Sequence, residues 1–456
     1  MIHNSDSLEY ISSLDDKSVD IIYADPPYAL GSQIEIKDGK PNYKVARDFM
    51  QKWEMPNGEY WEAWYKQAFR VLKHGGFCIM FGIDRQTLLF KYYGINAGLN
   101  ENQSLYWFFI SNFPKASDLS KNLDKYFGEE REVVGFTKQG KYSIFDGGKP
   151  RPTSLPTSLL SKKYDGYKYS IAPLKQTCQE IMIFQKPYKT GSCLHDTLAF
   201  ENGDEECCCG ALNIDDSRVP TDSNLLRLSN VKGIWSKEFR ERPQITGSVA
   251  GRYPAQTFLT DTENILDKQS GVVVSTQSKG NDNRYLLKKE SKWNVSFCAG
   301  DHTAENSYSD IGGCSRILHS CKYEEGDYDL FQYCPVVSPR EREAGCGKFE
   351  LKEYSIGDER PCGGFNERLN MPASLPKSNT HPTLKPISLN YRILLLFKTP
   401  NEQKIIYPFA GVGSEIIGGI KAGFLDWEGC EINPEYVEIA NARIKHHTSQ
   451  LDLFIN

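Results

Sequence analysis

The chain contains no apolar run long enough to cross a bilayer. Its longest aliphatic stretch, ILLLF at 393–397, falls far short of the roughly 20 residues a spanning helix needs. The opening MIHNSDSLEY lacks the basic and apolar regions of a secretory signal, so a cytoplasmic protein is expected. No Cys-x-x-Cys pair occurs among its thirteen cysteines, whose number is odd and whose spacing is irregular, which points to reduced thiols rather than a disulfide framework. The triplet Cys207–Cys209 and the scattered Cys314, Cys321, Cys334, Cys346 and Cys362 lack histidines at ligand intervals, so no metal site is expected. Positive charge is not in surplus either. Lys and Arg number 54 against 59 Asp and Glu, a net charge of -5 that excludes indiscriminate coating of nucleic acid but leaves room for one basic face. No Gly-x-x-x-x-Gly-Lys-Ser/Thr element is present, which argues against an ATP-driven motor within this sequence.

What is present is the composition of a folded protein, with 25% charged and 12% aromatic residues. Strand and helix patterns alternate at the start. SLEYISSL (7–14) reads as a short helix and VDIIYAD (19–25) as a buried strand. Trp61, Trp64, Tyr65, Ala68 and Leu72 then fall at helical spacing, with HGG (74–76) as a glycine stop before the strand FCIMF. SLYWFFI (104–110) and EIMIFQ (180–185) are further strand candidates, and the alternation predicts a parallel or mostly parallel sheet. Between about 190 and 370 the texture becomes irregular, which suggests a separate module. After Pro386 the α/β pattern returns: helix ISLNYRILLLF, strand KIIY, a glycine-rich turn, helix SEIIGGIKA closed by Gly423, strand WEGCE, and a helix opened by Asn433 and Pro434. The sheet is therefore expected to draw on both ends of the chain.

Local charge is uneven. From Lys138 to Lys189 there are ten basic residues against three acidic ones, interleaved with Tyr164, Tyr167 and Tyr169. Such a stretch can neutralise phosphates or be a solvated loop. Residues 227–252 carry six basic residues against two acidic ones.

IIYPFAGVGSE (405–415) sets Gly411 and Gly413 between a strand and a helix, where absent side chains let a ligand approach the backbone at the carboxyl end of a sheet; a turn of pure packing value is the alternative. Glu431 closes the next strand, where an acid can accept hydrogen bonds from ribose hydroxyls. The dinucleotide pattern's third glycine is replaced by Glu415 and Ile416, which favours a monoribose cofactor such as S-adenosylmethionine.

Asp25-Pro26-Pro27-Tyr28 follows the first buried strand. An exocyclic amine on adenine or cytosine is a poor nucleophile, and methylating it needs acceptors that hold its hydrogens while positive charge develops. Asp25 can accept one hydrogen and the Pro26 carbonyl the other, with proline rigidity aiming it. Tyr28 would stack on a base swung out of its duplex. A plain strand-ending turn explains the prolines but gives the acid and the aromatic no use.

These motifs resemble the amino-directed DNA methyltransferases that modify adenine N6 or cytosine N4, in their beta motif order. Asp25-Pro26-Pro27-Tyr28 is similar to the catalytic tetrapeptide, Phe409-Ala410-Gly411-Val412-Gly413 to the cofactor motif F-x-G-x-G, and Glu431 to the ribose acid. HPTLKP (381–386) resembles the H-P-x-x-K-P element, whose His381 and Lys385 would lie near the cofactor's methionine, and NSDSL (4–8) the segment whose acid, Asp6, sits by its adenine. The resemblance implies a Rossmann-like, circularly permuted α/β sheet binding S-adenosylmethionine through Asp6, His381, Lys385, Pro408, Phe409, Ala410, Gly411, Gly413, Ser414 and Glu431. It also implies a catalytic half at 1–190, a target-recognition region at 191–370, a cofactor half at 371–448 and a tail at 449–456. The substrate it implies is double-stranded DNA read at a specific site, and the Asp-initiated tetrapeptide leans towards adenine N6. Cytosine N4, an RNA substrate and a DNA-binding module without catalysis are the alternatives. Tyr407 and Glu415 depart from the family pattern, which commonly has Asp and Thr at these places. The tail segment Gln450-Leu451-Asp452-Leu453-Phe454 resembles the Q-L-x-L-F peptide that docks onto the bacterial sliding clamp; folding of these apolar residues back onto the last helix is the alternative.

Overall fold

The computed structural model describes residues 1–28, 33–43, 56–109, 115–136, 152–219, 227–230, 243–246, 251, 253–260, 273–274, 311–312, 319–320, 337–350, 365–366, 371–372, 378–381 and 383–451. Its centre is a ten-stranded sheet. In chain order the main strands are β1 (Ile2–Asn4), β2 (Val19–Ala24), β3 (Leu72–Gly82), β4 (Leu105–Phe109), β5 (Cys178–Gln185), β6 (Thr257–Thr260), β7 (His319–Ser320), β8 (Lys404–Tyr407) and β9 (Asp426–Glu431). They lie in the order β1-β9-β8-β2-β3-β5-β4-β6-β7, and the two-residue strand Asn100–Glu101 pairs with β5. Only β5 runs against its neighbours in this row; every other adjacent pair is parallel. The sheet is thus mostly parallel and built from both ends of the chain, as the motif order predicts.

The helices that cover it are α1 (Ser7–Ser12), α2 (Gly58–Val71), α3 (Thr87–Asn96), α4 (Ile387–Phe397), α5 (Ser414–Lys421) and α6 (Pro434–Leu451). Along β2 the side chains alternate between two cores. Ile21 and Tyr23 face α4 and α5, while Ile22 and Ala24 face α1–α3. A bulge between Val19 and Ile21 breaks the alternation and returns Val19 to the second core. On that side α2 presents Trp61, Trp64, Tyr65 and Ala68, all fully buried. Truncating either tryptophan to alanine would cost about 3–5 kcal/mol by loss of transfer energy and cavity formation.

Helix starts follow local chemistry. Asn57 accepts the Tyr60 N–H at 2.9 Å to begin α2, and Asn433 accepts from Glu435 at 3.0 Å to begin α6. Gly423, at φ +92°, closes α5 with the Phe424 N–H returning to the Gly419 carbonyl at 3.0 Å. The expected glycine stop at 74–76 is corrected. Helix α2 ends at Leu72, whose backbone is already extended, and His74-Gly75-Gly76 lies inside β3. Gly76 is there for closeness, since a Cβ would sit 2.8 Å from the Asp20 carbonyl.

Much of the stretch 191–370, expected as a target-recognition region, lies outside the described residues. Three parts of it join the sheet or its cover. Residues 193–219 bind the start of β3 and the end of α4 through the pairs Cys208 N–His74 O (3.0 Å) and Asn213 N–Leu396 O (2.7 Å). Strands β6 and β7 extend the sheet, and residues 337–350 pack beside α6. In the basic window, residues 138–151 lie outside the described residues, and of the described cations Lys186 is turned inward while Lys168 and Lys189 form exposed ion pairs. Lys186 is buried, donates to the Leu72 carbonyl at 2.7 Å and has its pKa lowered to about 8 by desolvation, while Lys189 is paired with Asp204 and Glu206. Lys168 is paired with Asp118. These three do not supply a phosphate track. In the tail, Asp452, Leu453 and Phe454 lie outside the described residues, and Gln450 and Leu451 end α6. No described helix is long and apolar enough to cross a membrane.

Candidate active site

Proline has no N–H, so the ladder that pairs Ala24 with Met80 cannot run past Asp25-Pro26. Just beyond it the Asp25 carboxylate is held on both oxygens. The Tyr28 hydroxyl donates to Oδ1 at 2.6 Å and the Lys385 ammonium to Oδ2 at 2.5 Å. Lys385 also donates to the Tyr28 oxygen at 3.0 Å, and its Nζ lies 5.0 Å from the Tyr28 ring centroid and 5.1 Å from that of Phe81. Burial first, then the charge of Asp25, raises the Tyr28 hydroxyl well above its ordinary value, which keeps it a donor. The Pro27 carbonyl accepts from the buried Gln86 amide at 3.2 Å, and the same nitrogen reaches the Tyr43 hydroxyl at 2.9 Å. Among the described residues none donates to the Pro26 carbonyl, which leaves it open for a substrate hydrogen.

Strand β8 is hydrogen-bonded beside β2, with Ile405 opposite Ile21 and Ile406 opposite Ile22, so the glycine turn emerges next to Asp25. Gly411 and Gly413 have φ of +48° and +79°, a region most side chains avoid. The expectation that their missing side chains admit a ligand is corrected. A Cβ on Gly411 would meet His381 Nε2 at 3.1 Å, and one on Gly413 would meet Ile444 at 3.2 Å and Ala440 at 3.3 Å. Protein fills both places.

The open edge lies on the other side of the turn. Glu431, nine-tenths buried, accepts the Gly411 N–H at 3.0 Å on one oxygen and the Asn433 N–H at 2.8 Å on the other. Each oxygen keeps a second lone pair for a further donor. Burial pushes the acid above its ordinary value against the pull of those N–H groups. Phe409 rests its ring on Trp64 and Trp61, with centroids 6.1 and 6.0 Å away. Asp6 caps α1, accepting from Leu8 at 2.8 Å and Glu9 at 3.3 Å, and Tyr60 donates to its other oxygen at 3.2 Å. It lies two residues beyond Asn4, the partner of Glu431 in the β1–β9 ladder, and so at the same edge. Pro408 and Ala410 fix the turn to β9: the Cys430 thiol donates to the Pro408 carbonyl at 3.2 Å, and Ala410 N–H donates to the Cys430 carbonyl at 2.9 Å.

Several functional residues went unnoticed in the sequence. Arg443 of α6 is fully buried and donates to the Val412 carbonyl at 2.6 Å, the Ser414 hydroxyl at 3.0 Å and the Glu341 carbonyl at 3.3 Å. Its signal was positional, since Tyr436, Ile439, Ala440, Arg443 and Ile444 share the helical spacing of a buried stripe. A bracket around the short helix Pro339–Glu343 left no such trace. Arg342 donates to the His381 carbonyl at 2.6 Å, and Glu343 accepts from the N–H groups of Ser378 and Asn379 at 3.0 and 3.3 Å. Glu341 accepts from Ile387 at 2.8 Å. The bracket seats His381, whose imidazole is held neutral, pushed down to about 3 by desolvation and then by Arg342, Arg443 and Lys385. Glu415, in the first turn of α5, is 7% exposed and is pushed up to about 7 by burial and then by Asp25, with Lys385 pulling the other way. Tyr407 points away from this edge, into the core between Tyr23 and Gly419.

The end of β2, the glycine turn and the end of β9 therefore lie beside one another, with Glu415 and Glu431 as buried acids and Asp25 as a partly buried one. That set suits a ligand that is cationic at one end and carries paired hydroxyls at the other, and S-adenosylmethionine, with its sulfonium, α-ammonium and ribose, fits it. The fold and site define an open, mostly parallel α/β domain with its ligand edge at the carboxyl ends of adjacent strands. A family model described as DNA methylase, covering N6 and N4 methyltransferases, matches residues 19–442, and the chain belongs to that family. The family uses S-adenosylmethionine. Similar proteins include the type II methyltransferase M.HpaI of Haemophilus parainfluenzae, 24% identical over 143 residues covering 31% of this chain and 40% of the relative. M.HindIII of Haemophilus influenzae is 24% identical over 224 residues, covering 43% of this chain and 61% of the relative. The chain thus spans about 40% and 61% of the length of these two curated relatives. Among solved structures, the cytosine-N4-specific PvuII DNA methyltransferase aligns over 98% of this chain and 89% of its own, at 10% identity and a TM-score of 0.37. The complex of M1.HpyAVI with SAM aligns over 97% and 98%, at 11% identity and a TM-score of 0.33.

Proposed function

We propose that the chain is a site-specific DNA methyltransferase acting on the exocyclic N6 of adenine, with S-adenosylmethionine as donor. The observation that carries this reading is the position of Asp25-Pro26 at the end of β2, hydrogen-bonded beside the strand that launches the glycine turn, with Lys385 joining the two. Bound at that edge, S-adenosylmethionine supplies an electrophilic methyl group on a sulfonium. Glu431 would hold the ribose hydroxyls, Phe409 and Asp6 would lie at the adenine end, and His381, Lys385, Gly411, Gly413 and Ser414 would shape the methionine end. Asp25 and the Pro26 carbonyl accept the two hydrogens of the target amine and aim its lone pair at the methyl group. Tyr28 faces the base, which must leave the duplex to reach this depth. Asp25 also offsets the positive charge that grows on the amine as the new N–C bond forms.

Adenine is favoured over cytosine by the Asp-initiated tetrapeptide. Site recognition is assigned to the part of 191–370 beyond the sheet, and clamp docking to Gln450, Leu451, Leu453 and Phe454. Expression in a methylation-free host, followed by digestion of the DNA to nucleosides, tests the reading. N6-methyladenine is expected, N4-methylcytosine would move the assignment to the other base, and neither product would overturn it.

A further inference from the structure

Asp25 is a weakened acceptor as the structure shows it. Both its oxygens are engaged, one by the Tyr28 hydroxyl and one by the Lys385 ammonium, and the lysine side chain is only 4% exposed. An ion-paired carboxylate is a weaker acceptor for an amine hydrogen, and its charge is already neutralised when the amine needs it. A sulfonium close by adds a second cation against the same carboxylate. The reaction therefore needs Lys385 off Asp25, and burial leaves its ammonium no route to bulk water.

Among the described residues, Glu415 is the acid coupled to both Asp25 and Lys385. Glu415 sits in the first turn of α5, 7% exposed, and no described side chain donates a hydrogen bond to it. The charged or titratable groups around it are Asp25 and Tyr28 from the end of β2, Tyr407 from β8, Lys385 from the segment before α4, and Arg443 from α6. Pushed up to about 7, it is close to half-protonated at neutral pH, and an arriving ammonium would favour its charged form. The lysine's four-carbon stem allows such a shift while its methylenes stay packed on Tyr28 and Phe81.

We infer that Lys385 is a transferable counter-ion, resting on Asp25 in the free protein and passing to Glu415 when the cationic donor enters, so that Glu415 is a positioning residue that frees the catalytic acid. This rests on the methyltransferase reading above.

The test compares calorimetric affinities for S-adenosylmethionine and its neutral thioether product, S-adenosylhomocysteine, whose ratio isolates the response to the sulfonium. Affinity for the thioether also reports that each variant is folded. Glu415→Gln is expected to lower the preference for the sulfonium about tenfold with Lys385 present, and by threefold or less in the Lys385→Met background. Glu415→Thr should behave as Glu415→Gln does. In the wild type the preference should climb between about pH 6 and 8 as Glu415 ionises, and the climb should be absent in Glu415→Gln. An equal loss in both lysine backgrounds would show that Glu415 acts on the donor directly and would overturn the proposal, as would no loss in either. If wild type binds neither compound, the methyltransferase reading falls, and the proposal with it.

Discussion

Glu415 also gives the sharpest stability prediction. Its carboxyl is raised from an ordinary 4.5 to about 7 by burial and by Asp25, so the folded protein holds a proton that the unfolded chain has released. A group raised in this way contributes stability that is full below about pH 4.5 and is lost as the pH climbs through about 7. At about 1.4 kcal/mol per pH unit, the interval amounts to about 3 kcal/mol. Glu415→Gln keeps the shape and removes the titration. Urea unfolding of the cofactor-free protein and the variant, in buffers from about pH 4 to 8, reads the difference directly, because every other titrating group is common to both. The variant should match the wild type near pH 4 and exceed it by about 3 kcal/mol near pH 8. Two stability curves that run parallel across that range would refute the argument, since a carboxylate ionised throughout would have to be solvated or paired by a group the structure does not put there.

Asp25→Asn should lower kcat by about 10²–10³-fold while S-adenosylmethionine binding persists, read by single-turnover methylation beside calorimetry, because it removes the charge that offsets the developing cation. Arg443→Met strips charge-assisted bonds from the Val412 carbonyl and the Ser414 hydroxyl, and should cost about 2–4 kcal/mol of stability and at least about tenfold in cofactor affinity, with Arg443→Lys recovering part of both. Tyr407→Phe should stabilise the protein by about 1 kcal/mol in a denaturant titration, since its buried hydroxyl has no partner among the described residues. A Cβ on Gly419 would run into that hydroxyl, so Gly419→Ala should destabilise strongly, and Tyr407→Phe should rescue it.

The parts of the site legible in the sequence were those dictated by backbone chemistry. Two prolines after a buried strand fix where β2 ends, Asn433-Pro434 fixes where α6 begins, and an acid closing β9 follows the glycine turn at a readable distance. Parallel pairing was legible from alternation, but the reversed direction of β5 was not, because a buried strand reads the same both ways. The glycines of 74–76 misled for a related reason: glycine marks a close approach as readily as a helix stop, and here the approach is to the Asp20 carbonyl. Gly411 and Gly413 were correctly placed but differently used, since what fills their side-chain space is His381 and α6, two segments that only the folded chain brings there. Basic residues could be counted but not assigned, for a lysine's sequence position does not show that Lys186 turns inward to a backbone carbonyl.

A site split between chain ends raises the question of what holds its halves in register. The β2–β8 pairing is short, with Ile21 opposite Ile405 and Ile22 opposite Ile406. Side chains reinforce it. Buried Asp20 accepts the Lys404 N–H at 2.8 Å and the Lys73 ammonium at 3.1 Å, while the Tyr23 hydroxyl donates to Asn390 at 2.7 Å. The Lys385–Asp25 pair is a further link, and under the proposed function it also bears on the reaction. Closing a long insert costs little more than closing a short one, about 0.6 kcal/mol for each doubling of length, so the stretch between β5 and α4 can grow without loosening the seam. Asp20, Lys73, Lys404, Tyr23 and Asn390 can keep the strands joined while Lys385 lets go of Asp25. Under the proposed function, that division of labour would let Asp25 be released without separating the two halves of the site.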